Sequence, residues 1–310
     1  MATCITCGRQ LPAFTFGERG NVCSDCRSSA IDVKGDDVKR DIDNDPRWAH
    51  RAGSAAPPPV ARVRPRMPIT KVLVGMNAAV FVAMVFSGVS ITEPTIKQLL
   101  VWGANWGPLS LNAQPWRILT SNYLHIGIIH IALNMWCLWN LGALAEQIFE
   151  PWTYVLTYTA CGVGGSISSL WWHPLDVGAG ASGAIFGLAG ALIAALYLGK
   201  LPIPRQALRA TMRSLIAFAG YNLFFGSVIR GIDNSAHLGG LVTGLALGAV
   251  LAKHLTSPPD VRNRWRNAVF LAAILALAGA YSAVKQINGK VMPPGLTPSF
   301  YLPSLPRLHR

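Results

Sequence analysis

Runs of about 17 to 20 largely apolar residues, the length an α-helix needs to cross a bilayer core, recur near residues 72–89, 126–145, 152–171, 182–198, 213–229, 236–252 and 267–284. Nothing else in the sequence narrows the fold so far. A backbone in lipid must satisfy its own hydrogen bonds, and these runs are far too long for barrel strands, so an α-helical bundle follows. Composition agrees, because only 13% of the 310 residues are charged, against roughly 25% in an ordinary soluble domain. The first run is short and the fifth contains Asn222. The expected fold is an all-α polytopic membrane protein.

The net charge of +13 would suit a nucleic-acid partner, but its distribution excludes one. Basic residues gather before the first run (Arg62, Arg64, Arg66, Lys71), between the fourth and fifth (Lys200, Arg205, Arg209, Arg213) and after the sixth (Lys253, Arg262, Arg264, Arg266). The opening MATCITCGRQ has no apolar core of the secretory kind, so the N-terminus is expected in the cytoplasm. All three clusters then fall on the inner side, as the positive-inside rule requires. Lys285, Lys290, Arg307 and Arg310 after the seventh run weaken that pattern for the last helix.

The chain divides into a cysteine-containing head (1–30), a polar, proline-rich linker (31–68), a membrane body (69–255), a seventh apolar helix (256–285) and a Pro-rich tail (286–310). The linker lacks a buried-face period and reads as disordered. In the head, Cys4, Cys7, Cys23 and Cys26 form two C-x2-C knuckles, each able to turn two sulfurs toward one tetrahedral zinc ion. A pair of redox dithiols is the competing reading; it fits less well in a reducing compartment without a thioredoxin-like βαβ pattern. So small a head has little core, and a structural zinc would hold it together. The closed ligand set suits a module that docks a cytoplasmic partner or senses state. Cys137 and Cys161 read as small buried hydrophobes.

Strongly polar side chains inside apolar helices are functional candidates. The second run, LHIGIIHIALNMW, carries His125, His130 and Asn134, the last two on one helical face. Helix-to-helix hydrogen bonding is the plainer reading of each, and the pattern lacks the paired histidines and glutamate of a helical zinc protease. In the sixth run, His237 stands above Gly240, Gly244 and Gly248; in the fourth, Ser182 stands above Gly183, Gly187 and Gly190. Small residues at such spacing let two backbones approach closely, here near enough for the serine to meet the histidine. Counted from an inside N-terminus, the runs bearing His125, Ser182 and His237 all start on the outer side, so these residues share one depth.

A neutral imidazole can take the proton of a serine hydroxyl as it attacks a carbonyl. Ser182 at a helix mouth gains free N–H groups and the positive helix pole for a developing oxyanion. His130 and Asn134 could donate to that oxygen. Asp233 and Asp176 are expected to face water, which leaves a two-residue dyad.

Taken together, Trp116-Arg117, His125, His130, Asn134, Glu146, Gly180-Ala181-Ser182-Gly183 and Ala236-His237 with Gly240 and Gly244 resemble the rhomboid intramembrane serine proteases over residues 69–255. The resemblance implies that Ser182 is the nucleophile and His237 the general base. It further implies that His130, Asn134 and the Ser182 N–H stabilise the oxyanion, and that Phe186 packs on the His237 ring. Trp116 and Arg117 look like the family's structural loop motif at the membrane interface. The implied substrates are single-pass membrane proteins, cut at small residues in or near helix-destabilised segments, with membrane lipid around the enzyme and no cofactor for catalysis. The implied architecture is a six-helix core plus the seventh helix, with the zinc-ribbon-like head outside it; the cytosolic head and basic inner loops fit a multi-pass protein of a bacterial inner membrane, with an organelle membrane as the alternative, and the site near the outer face.

Two alternatives compete. A catalytically silent, client-binding relative would characteristically lack the serine or the histidine, and both are present. A transporter would use intramembrane histidines as a proton path, but no Asp, Glu or Lys lies deep within the runs, and paired broken helices are missing.

Overall fold

The computed structural model describes residues 67–229 and 231–291, together with two short N-terminal strands, β1 (Ala2–Thr3) and β2 (Gln10–Leu11). The strands pair antiparallel, with Ala2 opposite Leu11 and Thr3 opposite Gln10. The head's Cys4, Cys7, Cys23 and Cys26, the linker to residue 66 and the tail beyond 291 lie outside the described residues. Among the described residues, 67–202, 208–229 and 231–291 group in one compact unit, and the packing below is that unit's.

Long helices overlie every apolar run: α1 (Pro68–Phe86), then after three short helices α2 (Ile96–Trp102), α3 (Gly107–Ser110) and α4 (Arg117–Thr120), α5 (Ile128–Ile148), α6 (Pro151–Trp172), α7 (Ser182–Leu198), α8 (Arg205–Val228), α9 (Asn234–Leu251) and α10 (Pro259–Asn288). Local chemistry sets their ends. Pro68, Pro151 and Pro259 occupy first helical positions, where a missing N–H costs nothing. Asp233 caps α9 by accepting from the Ala236 N–H at 2.9 Å. The helices α8 and α10 begin about two turns before their apolar runs, because RQALRATM and PDVRNRWR contain good helix formers that need no lipid. His125 sits in the loop before α5 and not within the helix as expected, since Gly127, with φ 85°, caps α5 at Ile128.

Among the described residues, four helical segments are long and apolar enough to cross a membrane: Pro68–Phe86, Ile128–Ile148, Asn234–His254 and Pro259–Asn288; Ser182–Leu198 is apolar but shorter. Helices α6 and α8 fall outside that set, the one rich in Ser, Thr and Gly, the other carrying Arg205, Arg209 and Arg213. Large apolar side chains such as Phe86, Ile129, Trp136, Trp152, Tyr197 and Leu275 stand exposed. A patchwork of that extent is a liability in water and an ordinary surface in lipid.

The bundle is organised around α7, which is buried along almost its whole length, as a helix apolar on every side should be. It packs most extensively against α9, and both pack against α6. The contact between α7 and α9 is backbone on backbone. A Cβ added at Gly240 would strike the carbonyl of Gly183, one at Gly244 that of Gly187, and one at Gly248 that of Ala191. On the other face of α7, a Cβ at Gly187 would collide with Cys161 of α6; Cys161 is fully buried, whereas Cys137 is only half-buried. The last helix packs Val269 and Phe270 against Cys161, Leu247 and Leu251, and charge adds to this: Glu150 at the start of α6 pairs with Arg262 and, at 3.6 Å, with Arg266.

Replacing Gly244 by Ala raises intrinsic helix propensity yet forces a side chain into a backbone carbonyl. The expected outcome is a loss of about 1 to 3 kcal/mol, seen as a lower unfolding midpoint in detergent. Gly220 of α8 meets nothing within 4 Å, and Gly220→Ala should leave the midpoint unchanged or raise it.

Candidate active site

The loop that delivers Ser182 is fastened before the helix begins. Asn105 and Gly178 exchange both backbone hydrogen bonds at 2.9 Å, the Gly107 N–H donates to Pro174 O at 2.8 Å, and the Gly180 N–H donates to Ser121 O at 2.9 Å. Side chains reinforce this pairing: Asn105 Nδ2 donates to Ser166 O at 3.0 Å, and the Trp106 indole N–H donates to Leu175 O at 3.0 Å. Ser182 is then the first residue of α7, where the N–H groups of the opening turn have no intrahelical partner.

One turn below Ser182, and therefore on the same face, Phe186 lies flat against the His237 ring, with centroids 4.2 Å apart and planes 8° from parallel. The imidazole is thus stacked on the α7 face that also bears Ser182. Among the described residues no hydrogen bond joins Ser182 to His237.

His130 approaches from α5. The Ile126 N–H donates to its Nδ1 at 3.3 Å, which makes Nδ1 the acceptor and leaves Nε2 carrying the proton of a neutral ring. That Nε2 lies 3.0 Å, and Ser182 Oγ 3.7 Å, from the point a Cβ on Gly180 would occupy. Gly180 has φ 150°, and any side chain there would displace the His130 ring; glycine keeps the space between donor and hydroxyl open. Asn134, buried one turn further along, donates from Nδ2 to the His130 carbonyl at 2.9 Å, so one of its two amide protons is already engaged. His125 is fully buried with its ring edge toward His130 at 5.3 Å. Behind Ser182 lies a polar cavity of about 40 Å³, lined in part by Asn105, Ser121, Ser166, Ser169 and Asp233, roomy and polar enough for a water.

Asp233 does not simply face water. Its Oδ1 accepts from the Ser235 hydroxyl at 2.5 Å and from the Ala236 N–H, a cap that the sequence D-x-x-A before an apolar run could have signalled. Asn234 was not among the sequence candidates, and its Oδ1 lies 3.3 Å from His237 Nδ1.

The remaining motif residues sit away from the hydroxyl. Arg117, only 2% exposed, donates from one terminal nitrogen to the carbonyls of Leu100 (2.7 Å) and Ala104 (3.0 Å) and from Nε to Gln114 Oε1 (2.6 Å). Burial pushes its pKa down to about 10, which leaves it charged near neutrality. Trp116 lies under that guanidinium at 4.9 Å. Glu146 accepts from the Thr70 N–H at 2.7 Å, tying the end of α5 to the start of α1.

Residues 112–254 match the Rhomboid domain. The rhomboid match spans Arg117, His130, Asn134, Ser182, His237 and the glycines of the α7–α9 contact. Relatives include Rhomboid protease GluP of Bacillus subtilis (strain 168), 36% identical over 205 residues covering 66% of this chain and 38% of that protein. RHOMBOID-like protein 6, mitochondrial, of Arabidopsis thaliana is 34% identical, covering 56% and 61% respectively. Rhomboid protease AarA of Providencia stuartii is 29% identical, covering 60% and 74%. The chain spans less than two-thirds of the length of the first two of these relatives. The domain match and these relatives support the rhomboid family, and with the apolar helices they support an integral membrane protein. Among the described residues no cluster of His, Cys, Asp or Glu could hold a metal ion.

Arg117→Ala would take the donor from the Ala104 carbonyl and one of two donors from that of Leu100, which also accepts from the Gly103 N–H. A loss of roughly 3 kcal/mol is expected, measured as a fall in unfolding midpoint, with Arg117→Lys recovering only part of it because one ammonium cannot reproduce the guanidinium fork.

Proposed function

We propose that this chain is an intramembrane serine endopeptidase that cleaves single-pass membrane proteins in or near their transmembrane segments through a Ser182/His237 dyad. The observation that carries this reading is the His237 ring stacked on Phe186 one turn beneath Ser182. It supports a base and a nucleophile that meet at one face of a buried helix.

The chemistry runs in two halves. The neutral His237 ring takes the Ser182 proton while Oγ attacks the scissile carbonyl. The oxygen of the tetrahedral intermediate is met by the Ser182 N–H at the positive end of α7, by His130 Nε2–H and by the free amide proton of Asn134. Collapse breaks the C–N bond, the imidazolium protonates the leaving amine, and an acyl-enzyme ester remains. Water then attacks that ester with His237 again as base, which releases the carboxylate and restores the hydroxyl. The pocket that Ser182 lines would give that water polar partners.

Depth supports the reading. At 1.5 Å per residue, the 17 residues of α7 extend about 25 Å, less than the ~30 Å hydrocarbon core, so a helix grounded at one face starts below the other. We place that mouth toward the outer face and the N-terminus in the cytoplasm of a bacterial inner membrane, as the basic clusters favour. On this reading α1 and α5–α9 form the six-helix core and α10 is the added seventh. The four-cysteine head would be a zinc module for a cytoplasmic partner, supported by its knuckle spacing alone.

The test is cleavage of a single-pass substrate with a labile, small-residue-rich outer juxtamembrane segment. The parent chain should cut, and Ser182→Ala and His237→Ala should each be silent. Cutting that persists in Ser182→Ala removes the dyad; a parent that binds the substrate, fails to cut it and leaves Ser182 unlabelled by a serine-reactive probe is a silent client-binding protein. For the head, the full chain purified under reducing conditions should carry about one zinc per molecule, and a content below about half that speaks against the four-thiolate site.

A further inference from the structure

The imidazole that serves Ser182 is held by more than its stack on Phe186. Asn234, the first residue of α9, lies three positions before His237 and so shares its helical face. Its Nδ2 donates to the carbonyl of Leu223 on α8 at 2.9 Å, and its Oδ1 lies 3.3 Å from His237 Nδ1. We infer that Asn234 is a positioning residue for the dyad, accepting the Nδ1–H of His237 while it is itself oriented by the Leu223 carbonyl, so that Nε2 is the ring nitrogen left to take the Ser182 proton.

The amide cannot be turned round in this setting. A backbone carbonyl only accepts, so the group facing Leu223 O must be the NH₂ end, and the end facing His237 must be the oxygen. An oxygen beside Nδ1 favours the tautomer with its hydrogen there, and the base then sits on Nε2. The seat for this amide is a gap in α8: a Cβ on Gly226 would overlap Oδ1 and approach Cγ of Asn234 at 2.8 Å. Two ionisable groups near the ring do not take this role. Asp233 is occupied with the Ser235 hydroxyl and the Ala236 N–H, and His130 Nδ1 with the Ile126 N–H. An amide thus stands where other serine enzymes hold a carboxylate, and it fixes the ring without adding a buried charge.

This inference rests on the protease reading for its kinetic consequence, but not for its structural one. The experiment compares the full-length chain with Asn234→Ala, Asn234→Asp and Gly226→Ala, reading kcat and KM on the cleaved substrate, the unfolding midpoint, and the ¹⁵N shifts of His237 in histidine-labelled protein, identified against His237→Gln. Asn234→Ala should lower kcat about 10- to 100-fold with KM within about twofold, and should shift His237 from the Nδ1–H form to a mixture of tautomers. Asn234→Asp keeps an acceptor for Nδ1 and loses the donor to Leu223, so it should recover most of kcat while its midpoint falls. Gly226→Ala, which fills the seat, should resemble Asn234→Ala in kcat. An Asn234→Ala chain that keeps kcat within about twofold overturns the inference. So does a pair of alanine and aspartate variants that lose activity equally and in step with their midpoints, because Asn234 would then only anchor α8. Should the parent chain cut nothing, the protease reading fails and the nitrogen shifts alone decide: a His237 protonated on Nε2 in the parent refutes the positioning role.

Discussion

The α7–α9 contact, in which three glycines of one helix lie against carbonyls of the other, is the constraint on which the rest of the bundle depends. Lipid offers two helices no hydrophobic reason to associate, since its tails are as apolar as leucine; close packing has to supply the attraction. Glycine supplies it by removing the side chain that would hold the backbones apart. Ser182 begins one of these helices and His237 lies in the first turn of the other. The contact that joins the helices thereby also sets how near the two side chains come.

Polar fastenings do for the ends of the helices what glycine does for their middles. The loop ahead of α7 is hydrogen-bonded to the 105–107 segment and to Ser121, and Arg117 gathers the Leu100 and Ala104 carbonyls at the end of α2 and just beyond. Glu146 joins α5 to α1, and Glu150 joins α6 to α10. In each case a charged or amide group satisfies backbone or side-chain partners that lipid could not solvate. These groups behave as couplings between elements, and their removal would loosen the loop that presents Ser182 as well as lower stability.

The helices were legible in the sequence because lipid imposes a length and a polarity that few other environments demand. The glycine columns were legible for a related reason: at spacing of three and four residues they lie on one face, and their carbonyl partners had to be another helix. What the sequence hid was interhelical and polar. Asn234 reads as one more residue of a helix start, and its two partners, Leu223 O and His237 Nδ1, lie on different elements that meet only in the folded bundle. Asp233 was visible as a cap, but the neighbouring histidine drew the reading toward catalysis or solvent. The early starts of α8 and α10 escaped because apolarity marks where lipid begins, and helix propensity outlasts it. His125 fell into the loop because Gly127 starts a new helix there, a backbone event that the apolar pattern does not register.

A backbone interface has no smaller piece to remove. Where side chains separate two helices, a methylene gained or lost shifts the spacing by fractions of an ångström, and a lineage can drift toward a better distance. Gly240 and Gly244 already present the minimum, so the spacing between α7 and α9 can only be widened, never fine-tuned by trimming. Variation that turns the ring within that fixed frame must therefore fall on the side chains that touch it, and Phe186 and Asn234 are the ones in place to carry it.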